Sequence, residues 1–234
     1  MNNLGLSSAL LFEPRKVFME LDARPRFWFP LLVVIVTTVV IAVWYRSVVD
    51  IEWVTDRAMR TSAFASRLTE AQIEEAVKRS VERKTLGTVA TTLGTPIVIV
   101  VVGMLGALYL LLAGKATRVR RSFRHWFALT WWAALPAAVF GLVAAAFVLL
   151  TTTTAQFDQT ELKPLSLNAL LMHRNFDQPG YALFGSIDLF QLFSMYLSVV
   201  AVRTWSGRSW LFSSIFALLP YLLIYGIWAF ISLR

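Results

Sequence analysis

The chain has 234 residues, of which 57% are hydrophobic and 15% are charged, whereas about 25% of residues are charged in an average soluble domain. This composition excludes an ordinary soluble protein and indicates a polytopic membrane protein with a single membrane domain. The absence of cysteine excludes disulfides, thiolate nucleophiles and cysteine-based metal sites.

Residues 1–26 form a mixed N-terminal segment that precedes the first apolar run. Pro14 is well placed to open a short helix, which would end before Arg24 and Pro25. Apolar residues recur at helical spacing around it: Leu10, Leu11, Val17, Phe18 and Leu21. Two interpretations stay open, namely a helix lying in the headgroup region and a partly ordered tail.

Five apolar runs follow, and each has the length of a membrane span, which needs about 20 residues. They cover residues 27–45, 89–113, 126–150, 181–202 and 210–231. We therefore predict an all-α fold in which residues 27–234 form one bundle of five transmembrane helices.

Two longer polar loops interrupt these runs. The first covers residues 46–87 and contains Thr69-Glu70-Ala71-Gln72, which is a capping box, so we predict an amphipathic helix over residues 70–83. That helix either caps the bundle or is a solvated linker without a partner, and we favour the linker. The second loop covers residues 151–180, and we expect a short helix on the membrane surface over residues 164–172.

The run at 126–150 carries small residues at every fourth position, a pattern typical of close helix packing. They are Ala133, Ala137, Gly141 and Ala145. The face either packs inside the molecule or forms the seam of a homo-oligomer. We favour internal packing, because a five-helix bundle must bury such faces.

Asp188 is the one acidic residue within an apolar run, and we expect it about two turns into the span 181–202. Gln191, Ser194 and Ser198 continue roughly the same face as a polar stripe. An intramembrane carboxylate is costly and suggests a function by default, such as proton relay, cation binding or contact with a polar lipid group. The alternative is a structural role, in which Asp188 hydrogen-bonds across helices or pairs with a basic residue such as Arg46. We favour this structural role, because no second acid shares the spans.

The motifs that would indicate chemistry are absent. The two histidines, His125 and His173, have no ligand spacing, and there is no zinc-protease, nucleophile-elbow, P-loop or dinucleotide motif. We therefore predict no catalytic residue, no metal and no cofactor, and expect the protein not to be an enzyme.

The formal net charge of +8 lies largely in short turns, and no nucleic-acid recognition motif accompanies it, so we do not expect nucleic-acid binding. The turn at residues 114–124 holds five cations and no acid: Lys115, Arg118, Arg120, Arg121 and Arg124. The turn at residues 203–208 is also basic without an acid. Because positive turns stay in the cytoplasm, we predict a cytoplasmic N-terminus and an external C-terminus.

Short segments along the chain carry a family resemblance. They are Phe12-Glu13-Pro14-Arg15-Lys16-Val17-Phe18 with residues 24–30, Thr69-Glu70-Ala71-Gln72-Ile73-Glu74, Gly114-Lys115-Ala116-Thr117 with Arg121-Ser122-Phe123-Arg124, Phe127-Ala128-Leu129, Pro136, and Ile187-Asp188-Leu189-Phe190. Together they resemble the Yip (Ypt-interacting protein) domain family, in particular its bacterial members. The resemblance implies five helical spans, a cytosolic N-terminus and a non-enzymatic role, and for bacterial members little beyond an integral membrane protein. We predict a multi-pass protein of the bacterial inner membrane. Eukaryotic members are linked to Rab-type GTPases and membrane traffic, but this sequence lacks their long N-terminal cytosolic region, so we do not predict GTPase binding.

Two functions remain in competition. The leading prediction is a membrane scaffold or adaptor in membrane organisation or traffic, with the lipid bilayer, other membrane proteins or a second copy as partners. The alternative is a small transporter or lipid-handling protein that uses the polar stripe headed by Asp188.

Overall fold

The computed structural model of the protein describes residues 2–61 and 67–233. Within these ranges the chain is almost entirely helical, and its one element of β-pairing is an isolated antiparallel bridge between Ser166 and Asp188. The α-helices are α1 (Asn3–Phe12), α2 (Pro14–Ala23), α3 (Trp28–Val48), α4 (Ile51–Thr61), α5 (Glu70–Glu82), α6 (Lys84–Thr117), α7 (Phe123–Thr151), α8 (Tyr181–Ser186), α9 (Leu189–Ser206) and α10 (Trp210–Ser232). A 3₁₀ turn at Gln159–Leu162 and a π-helical turn at Asn168–Met172 lie between α7 and α8. The predicted all-α fold is confirmed for the described residues.

Four of the described helices are long and apolar enough to cross a membrane, namely α3, α6, α7 and α10. They correspond to the predicted runs 27–45, 89–113, 126–150 and 210–231. The prediction of one continuous helix over residues 181–202 is wrong. The chain leaves the helical conformation at Ile187 and Asp188, where ψ is 116° and 167°, so this run is divided into α8 and α9.

The N-terminal segment is a pair of helices, α1 and α2, packed on one end of the bundle against α7 and α9. Five of its apolar side chains are completely buried: Leu6, Leu10, Val17, Phe18 and Leu21. The Trp205 indole N–H donates to the Phe18 carbonyl oxygen at 2.8 Å, and the Trp132 indole N–H donates to the Arg26 carbonyl oxygen at 2.6 Å. The predicted helix that opens at Pro14 forms as α2, and α1, which was not predicted, precedes it. The partly ordered tail therefore does not describe the segment, and the buried apolar side chains of α1 and α2 contact protein.

The bundle has two distinct ends. At the N-terminal end, α1 and α2 meet the loop before α7 and the turn after α9, where Arg208 donates to the Thr117 carbonyl oxygen at 2.7 Å. At the opposite end, which we call the far end, the Asp50 N–H donates to the Ala155 carbonyl oxygen at 2.8 Å. Leu233 reaches the far end beside Gly180. Helix α1 and the C-terminal end of α10 therefore lie at opposite ends of the bundle.

Two clusters of buried side chains lie at different levels of the bundle. The larger one is centred on the N-terminal end and contains Trp126, Trp132 and Leu197 with the buried residues of α1 and α2. The smaller one joins Tyr45, Leu149, Phe157 and Leu162 at the far end. The apolar core is therefore divided between the two ends of the bundle.

The predicted loop helix forms α5, and its N-terminus carries the expected capping box between Thr69 and Gln72. A further helix in this loop, α4, was not predicted; it packs beside α5 and places the Arg57 guanidinium 4.7 Å from the Phe176 ring centroid. Helix α4 therefore packs on the far end, and α5 packs mainly on α4. The favoured interpretation of α5 as a linker without a partner is wrong, because its partner is α4. Of the short helix expected at residues 164–172, only the π-helical turn Asn168–Met172 forms.

The burial of the N-terminal helices gives a testable prediction. Phe18→Ala removes a fully buried ring that packs edge-on against Trp205, so we expect it to destabilise the folded protein by about 3 kcal/mol. The melting temperature in detergent should fall, and the segment before residue 24 should become accessible to protease.

Phe12→Ala is the matched control, because the Phe12 side chain is 84% exposed, and it should leave both properties unchanged. Equal melting temperatures for the two variants would contradict the docked position of α2.

Candidate functional site

The helical conformation is interrupted between α8 and α9 at Ile187 and Asp188, which we call the helix break. Asp188 has an extended backbone and forms the N-cap of α9, where its Oδ1 accepts from the Gln191 N–H at 2.8 Å. The predicted position two turns inside a continuous helix is therefore wrong. The cap satisfies one of the amide groups that the start of a helix leaves unpaired.

The loop between α7 and α8 folds back and pairs with the helix break. The Leu167 N–H donates to the Ile187 carbonyl oxygen at 2.8 Å, and the Leu189 N–H donates to the Leu165 carbonyl oxygen at 3.2 Å. Ser166, at the centre of this bridge, is buried. The loop thus supplies the backbone partners that the interrupted helix lacks.

An ion pair links the same two segments. The Lys163 Nζ lies 3.1 Å from Asp188 Oδ2 and donates to the Ser186 carbonyl oxygen at 2.9 Å. The Asp188 side chain is 11% exposed and the Lys163 side chain 44% exposed, so the carboxylate is enclosed and the ammonium is not. Asp188 therefore has a basic partner, as the structural interpretation expected, and this partner is Lys163. Arg46, the partner suggested from the sequence, contacts Thr88 instead.

The predicted polar stripe divides into two parts. Asp188 and Gln191 line a cavity of about 230 Å³ that is bounded by α3, α7, the start of α9 and the loop before α8, which we call the groove. Ser194 and Ser198 are buried deeper in the bundle, where the Ser198 hydroxyl donates to the Ser194 carbonyl oxygen at 3.0 Å. The structure therefore brings only the first two members of the stripe to one site.

The small-residue face of α7 forms one wall of the groove. Ala137, Gly141 and Ala145 line it, while Ala133 is buried in the N-terminal core. No described atom lies within 4 Å of the position of a Cβ on Gly141, so this part of the face packs against nothing inside the molecule. The close approach between α6 and α7 occurs elsewhere, where Gly103 accommodates the Trp131 ring.

Thr37 and Thr38 bring polar atoms to the opposite wall of the groove. The Thr37 hydroxyl donates to the Val33 and Val34 carbonyl oxygens at 2.8 and 3.1 Å, and the Thr38 hydroxyl donates to the Val34 carbonyl oxygen at 2.8 Å. Both hydroxyls are therefore satisfied within α3. Thr37 lies 11 residues before the end of α3, which places it about 16 Å below that end. The groove therefore runs from the far end toward the middle of the bundle.

The basic turn at residues 114–124 lies at the N-terminal end and is rigid. α6 continues to Thr117, Arg118 ends it in the left-handed conformation (φ 64°), and the Val119 N–H donates to the Gly114 carbonyl oxygen at 2.8 Å. A Cβ on Gly114 would lie 2.7 Å from the Val119 carbonyl oxygen, so this closure requires glycine.

Arg121 differs from the other four cations of the turn. Its Nη2 donates to Asp22 Oδ2 at 2.9 Å and to the Trp205 carbonyl oxygen at 3.2 Å, which joins the turn to α2 and α9. The remaining four are exposed, and none of them has a carboxylate partner in the part of the chain that the structure describes: Lys115, Arg118, Arg120 and Arg124.

The two histidines lie at opposite ends. His125 Nε2 is 3.1 Å from the Asp22 carbonyl oxygen at the N-terminal end, and His173 lines a second cavity at the far end. Among residues 2–61 and 67–233, no group of three or more His, Cys, Asp or Glu side chains is arranged to hold a metal ion.

A family model of the Yip1 domain matches residues 8–231, which is nearly the whole chain. The chain belongs to the Yip1 family. No curated protein and no solved structure matches it. As a Yip1-family protein with several membrane-spanning helices, it sits in a lipid bilayer.

Two segments that carry the Yip resemblance lie where the geometry of this Yip1-family chain is most constrained. Gly114 begins the Gly114-Lys115-Ala116-Thr117 segment and permits the closure of the basic turn. Asp188 caps α9 and pairs with Lys163 at the helix break. The segments that carry the resemblance therefore include the basic turn and the helix break, and both of these depend on particular residues. The resemblance is not confined to the apolar spans.

Substitutions at Asp188 separate its two structural roles in this Yip1-family protein. Asp188→Asn keeps an oxygen that can cap α9 but loses the ion pair, which we expect to cost under about 1 kcal/mol because Lys163 is half exposed. Asp188→Ala also loses the cap and should cost about 1 kcal/mol more. Unfolding free energies in detergent, combined with Lys163→Gln in a double-mutant cycle, measure both contributions.

Asp177→Asn is the control, since Asp177 is exposed in the same loop and makes no ion pair among the described residues. Equal losses for Asp188→Asn and Asp188→Ala would contradict the capping role. A folded Asp188→Asn protein that has lost its cellular function would assign the carboxylate a functional role.

Proposed function

We propose that this Yip1-family protein is a non-enzymatic membrane scaffold or adaptor of bacterial type, located in the inner membrane, that takes part in membrane organisation or traffic. The observation that carries the proposal is the basic turn at the N-terminal end. Lys115, Arg118, Arg120 and Arg124 form an exposed positive surface without carboxylate partners among the described residues, on a backbone held by Gly114 and by the Arg121–Asp22 pair. A rigid charged surface beside the membrane is suited to an acidic surface on a partner protein.

The proposed topology has five crossings, with α9 as the fifth beside α3, α6, α7 and α10. An 18-residue helix such as α9 is about 27 Å long, close to the thickness of the hydrocarbon core. An odd number of crossings is consistent with α1 and Leu233 lying at opposite ends. The acid-free turns lie at the N-terminal end, which supports a cytoplasmic N-terminus and an external C-terminus.

A second candidate function is the handling of a lipid or small solute in the groove. The observation that favours it is the open space beside Gly141, which an internal packing face would have filled. The Lys163–Asp188 pair at the far end of that space would meet a polar group, while the small residues of α7 would meet an apolar chain. A second copy of the chain is the other partner that could cover the small-residue face of α7.

Photo-crosslinking tests the adaptor proposal. Phe123 lies within the basic turn, next to Arg124, and is partly exposed, so benzoylphenylalanine at this position is a conservative probe. In intact membranes we expect a discrete protein adduct, which disappears when Arg118 and Arg120 are both changed to Glu because the acidic surface is then repelled.

The same probe at Leu86, which is exposed near the start of α6, should not give that adduct. Adducts from position 123 that contain only lipid, or that survive the double charge reversal, would contradict an acidic protein partner.

Filling the groove tests the second candidate. Gly141→Leu places a side chain in the cavity and should abolish binding of an apolar probe there, measured by displacement of a photoactivatable fatty acid, without lowering the melting temperature. Gly106→Leu is the matched control, since a Cβ at Gly106 also meets no described atom, but Gly106 does not line the groove. Unchanged labelling in Gly141→Leu would exclude the groove as the binding site.

A further inference from the structure

A second cavity, of about 470 Å³, lies at the far end, outside the groove. One wall is α4, with Trp53 and Arg57, and the other walls are the loop before α8 and α8 itself. We call it the far-end cavity. Lys163 is the one described residue that lines both this cavity and the groove.

Two arginines in the far-end cavity have no carboxylate partner among residues 2–61 and 67–233. The Arg57 guanidinium lies 5.0 Å from the Trp53 ring and 4.7 Å from the Phe176 ring. The Arg174 Nη1 donates to the Pro179 carbonyl oxygen at 2.8 Å, and its guanidinium lies 5.7 Å from the Phe184 ring. Aromatic faces and a backbone carbonyl therefore hold both side chains, while most of their N–H groups stay available.

The other charged residues that line the far-end cavity do not neutralise Arg57 and Arg174. Lys163 lines the cavity as a third cation, already bound to Asp188. Glu161 is the one acidic residue in the described lining, and its Oε1 accepts from the Asp158 N–H at 2.8 Å. Burial raises the pKa of the lining residue Tyr181 to about 12, so its phenol stays neutral near pH 7. The excess of fixed cations favours an anionic ligand.

An apolar tip lies directly beside the cavity. The π-helical turn ends in Leu170, Leu171 and Met172, which are 41%, 67% and 45% exposed, and the next two residues, His173 and Arg174, line the cavity. Three successive exposed apolar side chains are costly in water, but they are stabilised at the boundary of headgroups and acyl chains. The neighbouring Gly180 contacts Leu233 just after the end of α10, which places the cavity at the level where a span ends.

We propose that the far-end cavity binds the phosphate group of an anionic membrane lipid. Arg57 and Arg174 donate to the phosphate oxygens, for which the planar guanidinium is well suited. Leu170, Leu171 and Met172 enter the acyl layer of the same leaflet. The inference goes beyond the adaptor function and does not depend on the groove holding a ligand.

Native mass spectrometry of the full chain in detergent, titrated with phosphatidylglycerol and with phosphatidylcholine, tests the proposal. We expect phosphatidylglycerol to bind in preference, and Arg57→Gln and Arg174→Gln each to weaken that binding about tenfold through the loss of charge-assisted hydrogen bonds. Arg83→Gln is the matched control, because Arg83 is an exposed cation at the far end that does not line the cavity. A loss in Arg83→Gln equal to that in the cavity variants would mean unspecific attraction and would overturn the proposal.

A soluble phosphate compound could bind to the same two arginines in place of a lipid phosphate. Leu171→Ser should weaken phosphatidylglycerol binding while glycerol phosphate, titrated alone, binds no better than millimolar. Tight binding of glycerol phosphate that Leu171→Ser leaves unchanged would assign the cavity to a soluble ligand instead of a lipid.

If the arginine variants do not fold, hydrogen exchange on the unmodified protein tests the proposal without any substitution. Phosphatidylglycerol, but not phosphatidylcholine, should protect the backbone amides of residues 168–176. Equal protection by the two lipids would overturn the proposal.

Discussion

The far end of this protein depends on one constraint, which is that backbone N–H and C=O groups removed from water must find partners inside the molecule. An interruption between α8 and α9 would leave such groups unpaired. Leu165 and Leu167 pair with the break from the neighbouring loop, and the Asp188 side chain caps the new helix. The loop is therefore part of the bundle, and Lys163 reaches Asp188 because the loop folds back.

Different interactions stabilise the N-terminal end. There the amphipathic pair α1 and α2 buries five apolar side chains against α7 and α9, and indole N–H groups satisfy the carbonyl oxygens of Phe18 and Arg26. Arg121 adds an ion pair with Asp22 and thereby fixes the basic turn against α2. Since the main core forms here and a smaller cluster forms at the far end, the α3–α7 interface between them is left with the groove.

These two ends suggest a division of roles within a Yip1-family bundle. The N-terminal end presents fixed charge on a rigid loop, as recruitment of an acidic partner would need. The far end contains two cavities that differ in chemistry. Most residues that line the groove are apolar, whereas the far-end cavity has two arginines and three aromatic rings in its lining. A scaffold that also binds lipid would use both ends, and the two activities can be separated by substitution.

The features that the sequence determined by itself are local ones. Four spans follow from the length of their apolar runs, α5 follows from the capping box at Thr69, and the basic turn follows from cations without acids. The tertiary structure decided the rest, because it depends on segments far apart in the chain. Arg121 meets Asp22 across 99 positions, the partner of Asp188 is Lys163 in a loop, and Gly141 faces a cavity although its spacing resembles a packing face. Hydropathy could not indicate the helix break either, since apolar residues continue on both sides of Asp188. The break is stabilised by the Asp188 cap and by pairing with a loop that is distant in sequence.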